Sequence, residues 1–320
     1  MNSNSLNFFM RIISYGKNLY ILQVKKLLIG SLIISNLFSY TLTDYLFYAL
    51  KNIKGLPKIG IALSGGGARG IAHIGVLKVL EEEEIPVNFI SGTSAGALIG
   101  GFYASGFNSK RLLELAKELK WSNIVRPKVS PSNLLNLKYV FSQDVLEDYV
   151  REKIGNKKFY ELKIPACFVS CDLRTGEKIV FREGDVSIAM RASSAIPGIF
   201  EPVYYKHRIL VDGGVVDKVP VDVLIEMGAE FIIASNVGKE VYSEEFGNLI
   251  DILSQIINIQ ANEISSIMLR KADVVIEPDT SGIKFYELNK WEMAVEKGIV
   301  ETRRKMKEIK EKLILKMIER

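Results

Sequence analysis

A chain of 320 residues, 48% hydrophobic and 25% charged, can bury a large core and does not have the composition of a disordered protein. Its formal net charge of +5 is local: residues 1–58 hold seven basic side chains against the single acid Asp44, a balance of +6 that leaves −1 for everything after Lys58. A main domain without basic excess offers no footprint for nucleic acid. The only cysteines, Cys167 and Cys171, read as reduced thiols in a strand and not as a disulfide or metal site.

The first feature in chain order is an uncharged run from Leu27 to Thr43, directly preceded by Lys25-Lys26. Its 17 residues lie at the lower edge of what spans a bilayer, and six Ser, Thr and Asn residues dilute it. It carries no clear small-x-small cleavage site. Two expectations stand: an aromatic-rich helix in the membrane interface, helped by the basic residues, or an arm packed on the main domain or a partner subunit.

From Pro57 strands and helices alternate. Lys58 to Leu63 reads as a buried strand, and Ile71, Ile74, Val76, Leu77 and Leu80 form a helical stripe. A second strand, Val87–Ser91, precedes a helix from near Ala95 and another from Ser109, its expected N-cap, to about Lys120. Residues 121–142 look irregular, and Gln143 to Ile154 helical. "IPACFVSCDL" and "EKIVFRE" are strands joined through Arg174-Thr175-Gly176. Next come a helix near 185–194, the strand "RILVD", a helix at Pro220–Met227 and the strand "FIIASNV". A long helix over about 247–271, the strand "ADVVIEP" and an amphipathic helix from Trp291 to Arg320 complete the chain. The pattern is that of an α/β fold, a largely parallel central sheet with helices on both faces. Chemistry in such sheets collects at the carboxyl ends of the strands.

"IGIALSGGGARGIAH", Ile59 to His73, contains Gly65-x-Gly67-x-x-Gly70 between strand and helix, the setting of a dinucleotide loop. That reading requires an acid at the end of the second strand to hold a ribose, and none lies between Ile85 and Ser91. Directly after that strand stands Gly92-Thr93-Ser94-Ala95-Gly96, a Gly-x-Ser-x-Gly in the strand-turn-helix context of a nucleophile elbow. Ser94 is therefore the candidate nucleophile. It needs a base, and the two histidines recommend themselves poorly: His73 reads as a packed imidazole in a helix, His207 as a hairpin tip. Asp212 ends an apolar strand before two glycines, at the expected carboxyl edge of the sheet. Asp217 and Asp222 fit the cap of the next helix better, and Asp172 fits a turn. A Ser94–Asp212 dyad is the economical assignment. Gly65, Gly66 and Gly67 can then present backbone amides to an oxyanion, with Arg69 beside them to steady the loop or meet an anionic head group.

Taken in order, the glycine loop with Arg69, the Ser94 elbow and Asp212-Gly213-Gly214 closely resemble the patatin-like phospholipase family of bacterial type, as does "SSAIPGIFEPV" before the aspartate. The resemblance covers about residues 58–225. It implies a modified α/β-hydrolase-like sandwich, a Ser94–Asp212 dyad, an oxyanion hole on Gly65–Gly67 and hydrolysis of acyl esters of lipids without metal or cofactor. Asp217 stands where that family often has asparagine. The expected organisation is residues 1–57 as a basic, hydrophobic extension, 58–225 as catalytic core and 226–320 as α/β completion with a terminal helix. The expected partners are a phospholipid or other lipid ester and, through residues 1–55, a membrane surface, with a homodimer left open. The expected location is the cytoplasmic face of a bacterial inner membrane, or the cytoplasm. Alternatives are a thioesterase or small-ester hydrolase with the same site, a catalytically idle membrane scaffold, and a nucleotide-binding protein that the missing ribose acid disfavours.

Overall fold

Apolar segments flanked by glycine and proline become the strands of the computed structural model, which describes residues 41–127, 140–238 and 249–320. Up to Tyr40, the uncharged run that begins at Leu27 lies outside the described residues. Its last residues start a new element instead: Thr41 caps helix α1 (Leu42–Lys54), accepting from the Asp44 amide while Asp44 accepts from the Thr41 amide, a reciprocal capping box. The chain divides into two compact units, residues 58–304 and the N-terminal residues to Pro57 together with 305–320.

Within residues 58–304, β1 (Ile59–Leu63) leads through a 3-10 turn at Gly67–Ile71 into α2 (Ala72–Glu82). Then come β2 (Phe89–Thr93), α3 (Ala95–Ala104), α4 (Ser109–Glu118), the two-residue strands β3 (Arg126–Pro127) and β4 (Phe141–Ser142), and α5 (Asp144–Ile154). The second half holds β5 (Ala166–Asp172), β6 (Lys178–Phe181), α6 (Val186–Ser193), β7 (Val203–Tyr205) and β8 (Arg208–Asp212). It closes with α7 (Val221–Glu226), β9 (Phe231–Ser235), α8 (Leu249–Leu269), β10 (Val274–Ile276) and α9 (Trp291–Glu319), whose last turns belong to the other unit. The N-cap of α4 is Asn108, whose side chain accepts from the Arg111 amide. Ser109, expected in that role, sits one residue inside, its amide and hydroxyl on Glu81.

The strands form one sheet in the order β10-β9-β1-β2-β5-β8-β7, with β6 also on β5. It is parallel from β10 through β5 and antiparallel beyond. Connection length accounts for two of these pairs: the β5–β6 and β7–β8 turns are too short for a crossover, so each pair doubles back. Helices cover both faces. A Cβ at Gly100 of α3 would meet Leu63, Ile90 and Phe168, and one at Gly60 would meet Leu224 and Ala229 on the opposite side. Alternate residues thus serve two cores, and Ala62, Val219, Leu224, Ile232 and Ala234 form one of them. Cys167 and Cys171 are free and buried, and burial raises the Cys167 thiol to about 11.

In the other unit α1 buries Leu46, Phe47 and Leu50. Lys310 of α9, itself buried, donates to Asp44 Oδ1 at 2.6 Å and lies 5.7 and 5.3 Å from the Phe47 and Tyr48 ring centres.

Candidate active site

The elbow is built by close approach. Ser94 comes directly after β2 with φ +55° and ψ −122°, a strained conformation for a residue with a side chain, and α3 begins immediately after it. The helix can start this tightly because a Cβ at Gly96 would lie 2.1 Å from the Leu63 carbonyl oxygen, an approach only glycine permits. The Ser94 amide donates to Ser193 Oγ at 2.9 Å, and Ser193 Oγ donates to the Val169 carbonyl at 2.6 Å. Strand β5 and the end of α6 therefore hold the strained turn in place.

Asp212 reaches Ser94 by a route different from the expected one. Strand β8 runs antiparallel to β5, starting beyond its carboxyl end (Leu210 opposite Asp172) and finishing with Asp212 opposite Ser170. Thr93 stands opposite Val169 on the other side of β5, so the ends of β2 and β8 stop at one level. Asp212 is buried, and its Oδ1 accepts from the Gly214 amide at 2.7 Å. Burial outweighs the lowering influence of the neighbouring Ser94 hydroxyl and the Gly214 amide and raises its pKa to about 6.

The three glycines expected to supply oxyanion donors divide. The Gly65 amide donates to the Lys218 carbonyl at 3.1 Å, which anchors the loop. The amides of Gly66 and Gly67 donate to no group among the described residues. Gly67 takes φ +57°, and a Cβ there would fall 2.5 Å from the Phe285 carbonyl oxygen. Arg69 is buried, its Nε donating to the Gly66 carbonyl at 3.3 Å, and burial lowers it to about 10. It steadies the loop and also lines a pocket with Gly65–Gly67, Ser94, Asp212 and Lys218, closed on its other sides by Ile196, Ile257, Ala261 and Phe285.

The rival groups are engaged elsewhere. His73 is fully buried, with Nε2 on the Ser64 carbonyl at 2.9 Å and Nδ1 on Ser235 Oγ at 2.8 Å. A carbonyl only accepts, so Nε2 carries the proton and Nδ1 accepts from the serine. Burial pushes this imidazole down to about 4. His207 is exposed in the turn between β7 and β8. Asp217 and Asp222 share Lys178 at 3.1 and 2.6 Å. Asp172 pairs with Arg208 at 3.0 Å and accepts from the Arg174 amide.

Two residues escape a reading of the sequence. Lys218 is buried, its Nζ donating to the Gly238 carbonyl at 2.9 Å and to Asn262 Oδ1 at 2.7 Å. Burial, with the nearby Arg69 charge, lowers it to about 7. Gln143, in sequence only the start of a helix, donates through Nε2 to the Ser194 carbonyl at 3.2 Å and leaves Oε1 buried without a partner. It lines a second, apolar cavity that also opens on Ser94, between Leu98 and Phe102 of α3, Leu112 and Ala116 of α4, and Leu146 and Tyr149 of α5. Its lining is almost wholly apolar. Among the described residues no three His, Cys, Asp or Glu side chains cluster as metal ligands would.

Known proteins share parts of this chain. A family model described as "Patatin-like phospholipase" matches residues 61–225. An uncharacterized NTE family protein of Mycobacterium tuberculosis is 35% identical over 181 residues, 56% of this chain and 48% of that protein. The human "Patatin-like phospholipase domain-containing protein 6" is 32% identical over 188 residues, 57% of this chain and 13% of that protein. The matched part of the chain thus spans about half or less of these relatives' length. Among solved structures, VipD from Legionella pneumophila overlaps 78% of this chain and 66% of its own at 14% identity and a TM-score of 0.49, a likeness too low to carry an argument.

Proposed function

The chain belongs to the patatin-like phospholipase family, whose model matches just over half of its length, and on that premise we propose that it is a lipid acyl hydrolase working through Ser94 and Asp212. The observation that carries this reading is Ser94, presented on a strained strand-to-helix turn and lining one pocket with the buried Asp212 carboxylate. A carboxyl titrating near 6 is a stronger base than an ordinary aspartate and is still ionised at neutral pH.

In the first half-reaction Asp212 takes the Ser94 proton as Oγ attacks the ester carbonyl carbon, and the carbonyl oxygen gains a negative charge. The free amides of Gly66 and Gly67, at the head of the turn that opens α2, are the donors suited to that oxyanion. Collapse of the tetrahedral species breaks the carbon–oxygen bond, Asp212 returns its proton to the leaving alkoxide, and the acyl group remains on Ser94. Water attacks in the second half-reaction with Asp212 again as base, releasing a fatty acid and restoring the serine. The apolar cavity suits the acyl chain. The pocket with Arg69 and Lys218 suits an anionic group on the alcohol side, which favours phospholipids over neutral esters. The apolar lining of the cavity also favours lipids over small polar esters, whereas a thioester would meet the same groups. Membrane association through residues 1–55 rests on their composition, basic side chains beside an uncharged run. Among the described residues no helix is long and apolar enough to cross a membrane.

Labelling with a fluorophosphonate, together with hydrolysis of a short-chain nitrophenyl ester, tests the reading. The wild-type protein should do both and Ser94→Ala neither, while melting at the same temperature. A variant that keeps a tenth of the wild-type ester turnover would show that Ser94 is not the nucleophile.

A further inference from the structure

The side chains with polar atoms that line the apolar cavity are Ser94, Trp121, Gln143, Tyr149 and Ser194. Ser94 is the nucleophile of the proposed reaction. Trp121 Nε1 donates to the Tyr286 carbonyl at 2.8 Å, and Ser194 Oγ to the Met190 carbonyl at 2.8 Å. Gln143 and Tyr149 remain, one the N-cap of α5 and the other within it. A carbonyl only accepts, so the Ser194 carbonyl fixes the Gln143 amide with Nε2 toward it, at 3.2 Å. Gln143 Oε1 is thereby left buried with no partner among the described residues, on a side chain that is 1% exposed. The Tyr149 hydroxyl is buried and unpartnered in the same way, and burial pushes its phenol up, which keeps it a neutral O–H. Buried polar atoms are normally paired, and a plain hydrocarbon chain filling this cavity would pair neither.

We infer that Gln143 is a subsite for a hydroxyl group on the acyl chain, close to its carboxyl end, so that the preferred substrates are esters of 2- or 3-hydroxy fatty acids; the inference rests on the hydrolase reading. An amide oxygen only accepts, so its partner must be a donor, and an ether, keto or ester oxygen cannot serve. A charged ammonium donor would be costly in so apolar a cavity, which leaves a neutral O–H. Position along the chain follows from the neighbours. Gln143 holds the Ser194 carbonyl, and Ser194 Oγ lies 3.4 Å from the Ser94 carbonyl oxygen, so this subsite is next to the elbow where the ester reacts. Tyr149 stands further in, its ring 6.5 Å from that of Phe102, about two turns along α3 from Ser94. Its O–H can donate or accept and meets only the later carbons of the chain. A hydroxyl bound at Gln143 is held both in the bound ester and in the acyl-enzyme, and a chain without one leaves Oε1 unpaired in both.

The test compares the dodecanoyl nitrophenyl ester with its 2- and 3-hydroxy analogues and with the matching methoxy ethers, which keep the oxygen but cannot donate. On the full-length wild type one hydroxy ester should exceed the plain ester about ten-fold in kcat/KM, corrected for uncatalysed reactivity, and its methoxy counterpart should not. That ratio should fall below about two-fold in Gln143→Met, whatever the variant's absolute rate, and persist in Tyr149→Phe. A wild type that turns over plain and hydroxy esters equally, or favours the methoxy ester as strongly, overturns the inference and leaves the hydrolase reading standing. So does a preference that survives in Gln143→Met or is lost instead in Tyr149→Phe. Should Gln143→Met not fold, the methoxy comparison on the wild type decides by itself. Melting temperatures with dodecanoate and with the two hydroxy acids give a readout independent of turnover. One hydroxy acid should raise the wild-type melting temperature more than dodecanoate does, and the difference should vanish in Gln143→Met. A protein that shows this difference but hydrolyses no ester defeats the hydrolase reading and leaves the subsite standing.

Discussion

Ser94 stands between two pockets made by different means. The apolar one is walled by the faces of α3, α4 and α5, where Leu98, Phe102, Leu112, Ala116 and Leu146 project from regular helices. The other combines loops with one helix: the glycine turn, the segment after β8 with Lys218, and Ile257 and Ala261 of α8. Helical walls tolerate a change of side-chain size at the cost of local repacking. Loop walls depend on particular backbone groups, so loss of one partner there leaves another buried polar group unsatisfied. The chemistry should therefore fail abruptly when the loop side is altered, and chain-length preference should shift gradually when the apolar side is.

The largest effect is expected at the point the two sides share. Asp212→Asn cannot take a proton and should lose at least 10³ in kcat/KM on any ester, about 4 kcal/mol of transition-state stabilisation. It should nevertheless fold more stably at pH 8. Asp212 binds its proton more tightly folded (about 6) than unfolded (3.8), so its ionisation opposes folding progressively as pH rises above 3.8 and fully above 6. That penalty is on the order of 3 kcal/mol. Melting curves of the two proteins at pH 8 should differ in favour of the variant and converge near pH 4; a variant that melts lower at pH 8 rules out a buried, desolvated base.

On the apolar side, Ala116→Phe narrows the cavity without touching Ser94. Turnover of a dodecanoyl ester should fall about thirty-fold while an acetyl ester changes less than three-fold. Equal losses on both would mean that the cavity does not receive the acyl chain.

Lys218→Met keeps the stem and removes the cation, and should lower activity on a phospholipid about ten-fold and on a neutral ester no more than three-fold. The two pockets should also part in their pH profiles. With Asp212 near 6 and Lys218 near 7, kcat/KM on a phospholipid should rise as the base ionises and fall again as the lysine loses its charge. A neutral ester should show the rising limb alone. A falling limb that persists in Lys218→Met would assign it to another group.

His207→Ala, in an exposed turn, should stay within two-fold of wild type on every substrate. A folded but inactive His207→Ala protein would overturn the dyad.

Where the residues that decide a feature are adjacent, the sequence is enough. Gly92-Thr93-Ser94-Ala95-Gly96 announces a sharp turn because glycine's lack of a Cβ is a local property. Strand and helix positions are legible in apolar spacing for the same reason, down to the turn Arg174–Gly176 between β5 and β6. Near misses arise where neighbours in sequence compete for a role that a distant residue settles. Ser109 looks like a cap as good as Asn108, until Glu81 takes its amide and hydroxyl.

The features that tertiary structure alone decides involve groups far apart in the chain. Gly65 and Gly67 are the same residue in the same loop. One amide is taken by the Lys218 carbonyl and the other is free, and nothing local distinguishes them. Asp212 ends a strand by its sequence, but its arrival beside Ser94 depends on β8 running antiparallel to β5 and stopping opposite Ser170. Lys218 carries no signal as a site residue until folding buries it beside Arg69, and Gln143 reads as the start of a helix until folding buries it in the cavity wall with Oε1 unpaired. Periodicity and glycine placement express each residue's own sterics and solvation, which the sequence carries in full. Strand direction, the partner of a backbone amide and the burial of a charge depend on which remote segments meet, and only the folded chain decides that.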